Sequence, residues 1–539
     1  MPQLQINQGP QDALLYDNSR SYFTNVGYVR TSNFQMELRD VDSQNTANLG
    51  STVQFVIPKA ADLLGPCDLL VKFDEATLPD FPAATKSGSA AGAKATFEKS
   101  YAAWVENIGF AMIEHVTFSI GSHDVERITG EQMNIMNELM RTNEQRYGFK
   151  HIGKTGRGAV TVTGHTGVTP KYGSYDENRL IQYGGTVRDG MELIIPLGLF
   201  FMKHPSQYFP LAAIAGCNDV RIAIKFRTAA ELIVLGHIDN ICIASTKSID
   251  YDATRTEDVG AADPPTPKVT LKEGETKLRC HYIHVTGPEA TTLMNQEHVR
   301  LLRLWQNNNK PYSIVHYETP KKATLFTMDL SFLHPVQELI ITIRKTSEIQ
   351  SGMDSTKNLF AYQGSGRDPN VESLQNRSHL PVDEDYSTRL EVENFKLTLN
   401  GQERHPSLAQ GGLDREYLMT RLMPMLHSNT SHMFCDAGRA TGTGHPAGMD
   451  FKHFGEMVDR KEIYVYPFSL NPESANPSGA VNFSKVSHAK LTIEGKAFAG
   501  ADLIGDNSVS NTVDYQVDVY GVHYNWVQIK DGRALTSFA

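Results

Sequence analysis

The stretch ADLLGPCDLLVKF, residues 61–73, returns in altered form as SFLHPVQELIITIRK, residues 331–345. Alignment of Pro66 with Pro335 gives an offset of 335 − 66 = 269 along the chain. Each stretch continues after its proline with a run of β-branched and other apolar residues, a pattern typical of a buried β-strand. A strand that returns about half a chain later indicates a duplicated β-domain.

Two further pairs of segments repeat in the same order. TFSIGSHDVERITGEQMNIMNELM (117–140) resembles KLTLNGQERHPSLAQGGLDREYLM (396–419) at an offset of 401 − 121 = 280. IPLGLFFMKHPSQYFPLAAIAGCNDVRIAIKF (195–226) resembles YPFSLNPESANPSGAVNFSKVSHAKLTIE (466–494) at an offset of 467 − 196 = 271. Three correspondences in one order predict two domains of the same kind in tandem.

Short apolar and β-branched runs recur between clusters of Gly, Pro, Asn and Asp, which predicts an all-β sandwich architecture. In the first half these runs are 51–57, 68–73, 115–120, 191–197, 219–226 and 240–246. In the second half they are 313–318, 323–330, 338–345, 394–401, 462–470, 488–494 and 514–529. Asn400-Gly401 predicts a type I′ hairpin turn, because both central residues of that turn need positive φ.

One helix is predicted, over GEQMNIMNELMR (130–141), because its large apolar residues fall on one face at helical spacing. These residues are Met133, Met136, Leu139 and Met140. A stripe of methionines is more often a core contact than a ligand site.

The domain layout follows from the repeat and from composition. Residues 1–20 form a polar N-terminal arm, and 21–252 form the first β-domain. The charged, Pro-rich segment 253–277 is the expected linker, 278–529 form the second domain, and 530–539 form a C-terminal tail. Four long loops interrupt the strands and are expected to be functional surfaces: 81–96, 150–175, 351–380 and 431–457.

The composition is that of a folded protein: of 539 residues, 40% are hydrophobic and 21% are charged. A formal net charge of −10 argues against a protein whose whole surface binds nucleic acid, because phosphate binding needs clustered Lys and Arg. The chain shows no signal-peptide pattern and no apolar run long enough to span a membrane, so neither is expected. No direct contact with nucleic acid is predicted.

The five cysteines are odd in number and form no CxxC pair, which favours reduced, buried thiols and a reducing compartment. They are Cys67, Cys217, Cys242, Cys280 and Cys435.

Residues 148–155, GFKHIGKT, match the phosphate-loop pattern GxxxxGK[ST]. That loop works between a buried strand and a helix whose N-terminal amides hold the phosphates. Here a helix end precedes the match and GRGAVTVTG follows it, a sequence that cannot begin a helix. A flexible basic loop is therefore the favoured interpretation.

Two groups of histidines are candidates for metal sites. The first group shares one loop region: His427, His432, Cys435, His445 and His453. Its spacing fits no compact zinc pattern. His281 and His284, followed by Glu289, invite comparison with a cupin, but two residues separate these histidines instead of one. Structural histidines are favoured, and no metal, cofactor or catalytic residue is predicted.

No nucleophile elbow, HExxH motif or supported carboxylate pair occurs in the sequence. Three glycosylation sequons begin at Asn376, Asn429 and Asn482. They are candidate modification sites only where a glycosylating machinery meets the chain, and unmodified asparagine is favoured. In the turn NPSG, Pro477 and Gly479 set the bend and Ser478 is expected to bond to nearby backbone.

Taken together, the ordered segments resemble the double jelly-roll major capsid proteins of nucleocytoplasmic large DNA viruses and their relatives. IYVYPFSLNPESANPSGAVNFSKV (463–486) is the most specific piece, with an aromatic strand, an acidic Pro loop, Pro-Ser-Gly and Asn-Phe-Ser. WVENIGFAMIEHVTFSIGSHDVERITGEQMNIMNEL (104–139) is similar to the first-domain signature of that family, and residues 8–38 are similar to its N-terminal region. FLHPVQELI (332–340) and VHYNW (522–526) match further pieces in family order.

The resemblance implies two tandem eight-stranded jelly-roll sandwiches with short helices and long loops. It also implies a homotrimer with a pseudo-hexagonal outline that tiles an icosahedral shell, in contact with neighbouring capsomers, minor capsid proteins and an inner membrane. The expected location is the virion, after assembly in the host cytoplasm or nucleus. The segment 426–463 and the linker after Tyr251 are longer than the family minimum. The family resemblance therefore does not predict which lattice-surface features these two segments form.

Two other interpretations stay open at the level of sequence. One is a minor capsid or penton-like paralogue with the same fold. The other is a two-domain jelly-roll enzyme or carbohydrate-binding protein, which a metal triad or a carboxylate pair lining one sandwich would support.

Overall fold

The computed structural model describes nine main stretches of the chain: 32–74, 100–141, 180–237, 269–316, 324–346, 390–404, 413–427, 463–497 and 511–536. Within these stretches, residue 106 and the short segments 184–185, 188–190, 215–217 and 415–416 are not described. Five further residues are described, namely Gln145, Ile349, Leu359, Phe360 and Tyr362. The expected arm 1–20, most of the linker and most of the four long loops lie outside the described residues.

Strands dominate the described residues of both halves. The first twelve strands are β1 (Phe34–Asp42), β2 (Thr52–Ile57), β3 (Leu63–Lys72), β4 (Ser100–Trp104), β5 (Ile113–Ile120), β6 (His123–Thr129), β7 (Leu180–Tyr183), β8 (Thr186–Val187), β9 (Glu192–Pro196), β10 (Phe209–Pro210), β11 (Val220–Phe226) and β12 (Ile233–His237). The predicted first-half strands are confirmed within a few residues, except 240–246, which lies outside the described residues.

Twelve more strands follow: β13 (Lys277–Val285), β14 (His298–His316), β15 (Thr324–Asp329), β16 (Pro335–Lys345), β17 (Leu390–Leu399), β18 (Gln402–Glu403), β19 (Leu413–Asp414), β20 (Ile463–Pro467), β21 (Val481–Asn482), β22 (Ala489–Ala497), β23 (Asn511–Lys530) and β24 (Arg533–Thr536). The α-helices within the described residues are short: α1 (Ile108–Ala111), α2 (Gly130–Met140), α3 (Ala229–Leu232), α4 (Pro288–Asn295) and α5 (Met423–Leu426). A π-helical turn, Leu418–Leu422, precedes α5.

The two halves share one strand topology. In the first half, one sheet has the order β1-β13-β3, with β9 and β10 both paired to β3, and a second sheet has the order β2-β11-β5-β6. In the second half the corresponding orders are β14-β23-β16, with β20 and β21 both paired to β16, and β15-β22-β17-β18. Four principal strands in each of two sheets give an eight-stranded sandwich twice: the sequence repeat predicts the two like domains, and the family resemblance implies the eight strands of each.

The repeated prolines occupy equivalent positions in this topology. Pro196 ends β9 and pairs with Asp68 of β3, while Pro467 ends β20 and pairs with Glu338 of β16. Both β9 and β20 are short, and each pairs with the strand that carries the first repeated motif, β3 or β16. The offsets read from the sequence therefore reflect equivalent pairs of strands.

Strand β13 corrects the expected domain boundary. The sequence interpretation begins the second domain at residue 278, directly after the linker, but β13 pairs along its length with β1 and with β3. It corresponds to β23, which lies between β14 and β16 in the second half. The first jelly roll is therefore closed by a strand that follows the 253–277 segment, and the change of domain falls between Val285 and His298, around α4.

A further four-stranded sheet, in the order β12-β4-β7-β8, is found in the first half. Ser100, the first residue of β4, pairs with His237, the last residue of β12. Among the described residues, no corresponding sheet occurs in the second half.

Strand β14 is longer than the sequence predicts, because only its end, 313–318, carries a strand pattern. The whole of His298–His316 pairs with β23, although it contains a polar run from Gln306 to Asn309 and a proline, Pro311. Strand β14 lies at the edge of its sheet, where a residue without an N–H group is tolerated.

Helix α2 is fixed at its start by both capping and close packing. The backbone N–H of Gln132 donates to Oγ1 of Thr129, and the backbone N–H of Thr129 donates to Oε1 of Gln132, which forms a capping box. A Cβ atom at Gly130 would lie 2.3 Å from the carbonyl oxygens of Phe110 and Ile113. Only glycine fits where the start of this helix packs against α1 and the first residue of β5.

Aromatic pairs join the two sheets of each sandwich. In the first half, the rings of Phe118 on β5 and Phe209 on β10 are edge to face, with their centroids 5.3 Å apart. In the second half, the ring centroids of Phe395 on β17 and Tyr464 on β20 are 4.6 Å apart. Such buried aromatic contacts help to hold facing sheets together.

The predicted hairpin at Asn400-Gly401 is confirmed. The two residues have φ values of 50° and 79°, as a type I′ turn requires, and they connect β17 to β18. Oδ1 of Asn400 also accepts from the backbone N–H groups of Ser487 and His488. The turn is thus tied to the chain that enters β22.

Candidate functional site: the contact between the two halves

A group of three largely buried charges lies where the two jelly rolls meet. Glu131, in the first turn of α2, accepts from Arg344 of β16 at a distance of 3.0 Å. The same guanidinium donates to Asp518 of β23 at 2.6 Å and to the backbone carbonyl of Leu359 at 2.9 Å. One arginine of the second half thus holds a helix of the first half.

Burial makes this ion pair costly to break. The side chains of Arg344 and Asp518 are 6% and 1% exposed. Burial acts to lower the pKa of Arg344, but Glu131 and Asp518 outweigh it and the pKa is raised. Burial raises the pKa of Glu131, and the charge of Arg344 opposes that rise. Loss of either partner would leave a charge buried without compensation.

The C-terminal hairpin makes a second connection between the halves. Asp531 and Gly532 form its turn with positive φ, and the carbonyl of Gly532 accepts from Nδ2 of Asn218 at 2.8 Å. Ile214 forms a bridge with Gly532, and Nε2 of His123 lies 3.2 Å from Oγ1 of Thr536. The expected tail 530–539 therefore includes a strand, β24, that packs against the first jelly roll.

His427 lies in a buried carboxylate clamp within the second jelly roll. Its Nε2 lies 3.0 Å from Oε2 of Glu338, and its Nδ1 lies 3.0 Å from Oε1 of Glu473. Both ring nitrogens therefore donate, and neither is available to a metal ion. Burial alone would lower the pKa of His427, but the two glutamates raise it to about 9.

Glu126 of β6 is a buried carboxyl group in the first half. It accepts a hydrogen bond from the backbone N–H of Phe200 at 2.8 Å. Burial raises the pKa of Glu126 to about 7, although the hydrogen bond from Phe200 acts in the opposite direction. This group therefore titrates near neutral pH in the folded protein.

The residues of the cupin-like candidate are not brought together. His281 and His284 lie three positions apart on β13, so their side chains leave opposite faces of the strand. His281 faces Asp68 across 3.9 Å, whereas His284 pairs with Glu37 at 3.1 Å. Glu289 is exposed in the first turn of α4. No metal triad forms from these residues.

The other candidate sites lie mostly outside the described residues. These are the phosphate-loop match 148–155, the remaining members of the loop group (His432, Cys435, His445 and His453), and the sequon residues Asn376 and Asn429. Within the described part of the chain, no group of three or more His, Cys, Asp and Glu side chains is arranged to hold a metal ion.

The NPSG turn behaves as its sequence predicts. Oγ of Ser478 accepts from the backbone N–H of Asn471 and donates to the carbonyl of the same residue, each at 2.9 Å. Asn482 lies in β21, exposed, and its Oδ1 accepts from the backbone N–H of Ser484. The third sequon is therefore part of an ordered turn.

Sequence reasoning missed the ion pair that connects the halves. Its one signal was Arg344 at the end of the apolar run ELIITIRK, because a charge within a buried strand needs a partner. That partner, Glu131, lies in the other half of the sequence, so its identity follows only from the fold.

Two family models match separate parts of the chain. The model for the N-terminus of major capsid proteins matches residues 21–269, and the model for the major capsid protein of large eukaryotic DNA viruses matches residues 450–534. Together they account for 249 + 85 = 334 of the 539 residues.

Curated relatives extend the similarity over the full length. The chain is 23% identical to the major capsid protein of Phaeocystis pouchetii virus, over 98% of this chain and 97% of the relative. It is 20% identical to the major capsid protein of Paramecium bursaria Chlorella virus 1, over 99% of this chain and 98% of the relative.

Solved structures show the same architecture. The quasi-atomic model of the PBCV-1 virus capsid superposes with a TM-score of 0.57 at 16% identity, covering 96% of this chain and all of that one. The Faustovirus major capsid protein gives a TM-score of 0.55 at 12% identity, over 94% and 92% of the two chains.

The duplicated topology and these superpositions show that the chain has a double jelly-roll fold. More particularly, it belongs to the family of major capsid proteins of large eukaryotic DNA viruses. It is a structural protein of the virion capsid and not an enzyme. None of its described helices is long and apolar enough to cross a membrane.

Proposed function

We propose that this chain is the main shell subunit, and that three copies associate into a capsomer whose six jelly rolls give a nearly hexagonal outline. The observation that carries this proposal is the shared strand order of the two halves. Two similar domains in one chain, repeated by a threefold axis, place six similar units around a ring. Such units can tile a hexagonal lattice.

The buried contact between the halves supports this role. A capsomer with a fixed outline needs its two jelly rolls held in one relative position. The Glu131–Arg344 ion pair and the hairpin turn at Gly532 connect them at two separate places. The strength of the contact therefore matters to the lattice as well as to the stability of one chain.

Exposed apolar side chains in each half offer surfaces for a neighbouring copy. On the edge strand β1, Phe34, Met36 and Leu38 alternate along one face and are each more than half exposed. In the second half, Val299 and Leu535 lie in one row across β14, β23 and β24, beside Trp526. A ring of identical chains buries two different surfaces at each contact, one from each neighbour.

The wider partners are neighbouring capsomers, minor capsid proteins and an inner membrane beneath the shell. The net charge of −10 favours contacts between proteins over direct contact with the genome. In this account the described part of the chain supplies packing surfaces and no catalytic residue. Modification of Asn376, Asn429 or Asn482 stays a prediction that glycopeptide mapping of the protein from infected cells would test.

Native mass spectrometry of the purified full-length chain tests trimerisation. The expected species has the mass of three chains, and Leu38→Asp or Leu535→Asp shifts the population toward the monomer. Lys490→Asp, at an exposed residue outside both surfaces, serves as the control. A wild-type chain that stays monomeric at all concentrations, or that forms only pentamers as a penton-like protein would, contradicts the proposal.

A further inference from the structure

Two cysteines face each other across neighbouring strands of the first jelly roll. Cys67 of β3 and Cys280 of β13 are direct partners in the strand register. Both side chains are fully buried, and both thiols are free in this structure. The two positions are distant in the sequence, so only the fold brings them together.

The backbone shows which kind of pair they form. The carbonyl of Cys67 accepts from the backbone N–H of Leu197, which follows β9 on the other side of β3. The N–H and C=O groups of one residue leave the same edge of a strand, so those of Cys67 point away from Cys280. The two cysteines therefore form a non-hydrogen-bonded pair, in which the Cα atoms are about 4.5 Å apart.

That separation lies within the range of a disulfide, roughly 4.4–6.8 Å between Cα atoms. A change of register next to the pair, between Cys280 and Tyr282, leaves room for a small adjustment.

Neither thiol has a strong competing partner. Cys67 donates to the carbonyl of Gly65 at 3.6 Å, and Cys280 donates to the carbonyl of Leu278 at 3.9 Å. Both contacts are long and weak, so little is lost when they are replaced.

We propose that Cys67 and Cys280 are a cross-strand disulfide site that fastens the closing strand of the first jelly roll. The disulfide would close a loop containing β4 to β12, and so would enclose most of the first domain, including the 253–277 segment. The sequence interpretation expected reduced thiols; the structure adds that these two are placed to be joined. The inference does not depend on trimerisation.

The reaction is a thiol–disulfide exchange with a disulfide-bearing oxidant such as oxidised glutathione. One protein thiolate attacks the oxidant, forms a mixed disulfide and releases one thiol. The other protein thiolate then attacks the mixed disulfide, forms the Cys67–Cys280 bond and releases the second thiol. The two cysteines are oxidised, the oxidant is reduced to two thiols, and the two protein protons pass to those products.

The burial of the two thiols determines at which stage the disulfide can form. Burial raises the pKa of the Cys67 thiol well above its ordinary value, and the neighbouring Cys280 adds to the rise. Thiolate is scarce and the oxidant is excluded in the folded chain. The bond should therefore form while β13 is still undocked, and should afterwards resist reductants that act on the folded protein.

Peptide mapping tests this directly. The full-length chain is synthesised with oxidised or with reduced glutathione present, then denatured in an alkylating reagent and digested without reduction. The expected product of the oxidised sample is a linked pair of peptides containing Cys67 and Cys280, lighter than the free pair by two hydrogen atoms. Separate alkylation of both cysteines in that sample, or linkage of either to another cysteine, overturns the proposal.

Two variants give an independent readout. The triple variant Cys217→Ser, Cys242→Ser, Cys435→Ser keeps only the facing pair, and oxidation should raise its melting temperature by several degrees. Oxidation should not raise the melting temperature of Cys280→Ala, in which the cross-link cannot form. An equal rise in Cys280→Ala overturns the assignment, and the wild-type peptide map decides the matter if a variant fails to fold.

Discussion

Nη2 of Arg344, in the second jelly roll, donates to Oε2 of Glu131, in the first, across 3.0 Å in a largely buried position. The pair joins the start of helix α2 to strand β16. A carboxylate in the first turn of a helix also interacts favourably with the helix dipole. The contact therefore links the two repeated domains by charge as well as by apolar packing.

Arg344→Met is expected to destabilise the chain by about 3–5 kcal/mol, because it leaves Glu131 and Asp518 buried without their cation. Chemical denaturation monitored by tryptophan fluorescence measures this loss. Arg39→Met is the control, since the Arg39–Glu37 pair is 44% and 40% exposed and should contribute little to stability. Equal losses in the two variants would contradict the role given to the buried pair.

His427 should make the stability of the folded chain fall as the pH rises into the alkaline range. Its pKa is about 9 in the folded chain against an ordinary 6.5, so its contribution is complete below pH 6.5 and is lost as pH rises through 9. The full contribution is about 3 kcal/mol. His427→Gln should therefore lower the melting temperature at pH 6 much more than at pH 9.5. His488→Gln, at an exposed histidine, should show no such difference. A constant gap across this pH range for His427→Gln would contradict the clamp.

Glu126 predicts a second pH dependence, at lower pH. Its pKa is raised to about 7 from an ordinary 4.5, so its contribution is present below pH 4.5 and is lost as pH rises through 7. Glu126→Gln keeps an acceptor for the N–H of Phe200 and removes the buried charge. We expect the variant to gain stability relative to wild type at pH 8 and to match it near pH 4. Thermal melts at both values check this, and a loss of stability at pH 8 would show that the charged form is favoured.

Two glycines separate the effects of space and of backbone conformation. In Gly130→Ala the new methyl group would meet two carbonyl oxygens, so we expect a loss of about 3 kcal/mol or helix displacement. At Gly401 no atom lies within 4 Å of the position that an added methyl group would take, but φ is +79°. Gly401→Ala should therefore cost only about 1–2 kcal/mol. Urea denaturation of both variants measures the order, and the reverse order would be inconsistent with this packing.

The duplicated architecture was readable from the sequence because both copies keep their prolines and apolar runs at a nearly constant offset. The boundary between the two domains could not be read from the sequence, because a strand pattern such as KLRCHYIHV (277–285) does not indicate which sheet the strand joins. Strand β14 was underestimated because its polar centre and Pro311 are uncharacteristic of a strand. Its pairing with β23 along its whole length makes it a strand despite that sequence.

The buried charges were beyond the reach of sequence patterns. His427 is a candidate zinc ligand by sequence because it begins a loop with other histidines, yet its partners are two glutamates from distant segments. Arg344 and Glu131 likewise become neighbours only when the two domains pack. Local patterns predict elements well, whereas contacts between domains depend on tertiary geometry.

If each chain carries two like domains, a trimer presents six of them. Electron microscopy of the purified capsomer, with image averaging, would reveal this arrangement. We expect a particle with threefold symmetry in which six similar domain densities alternate around a nearly hexagonal outline. A particle with fivefold symmetry, or one whose two domain types lie at clearly different radii, would contradict it.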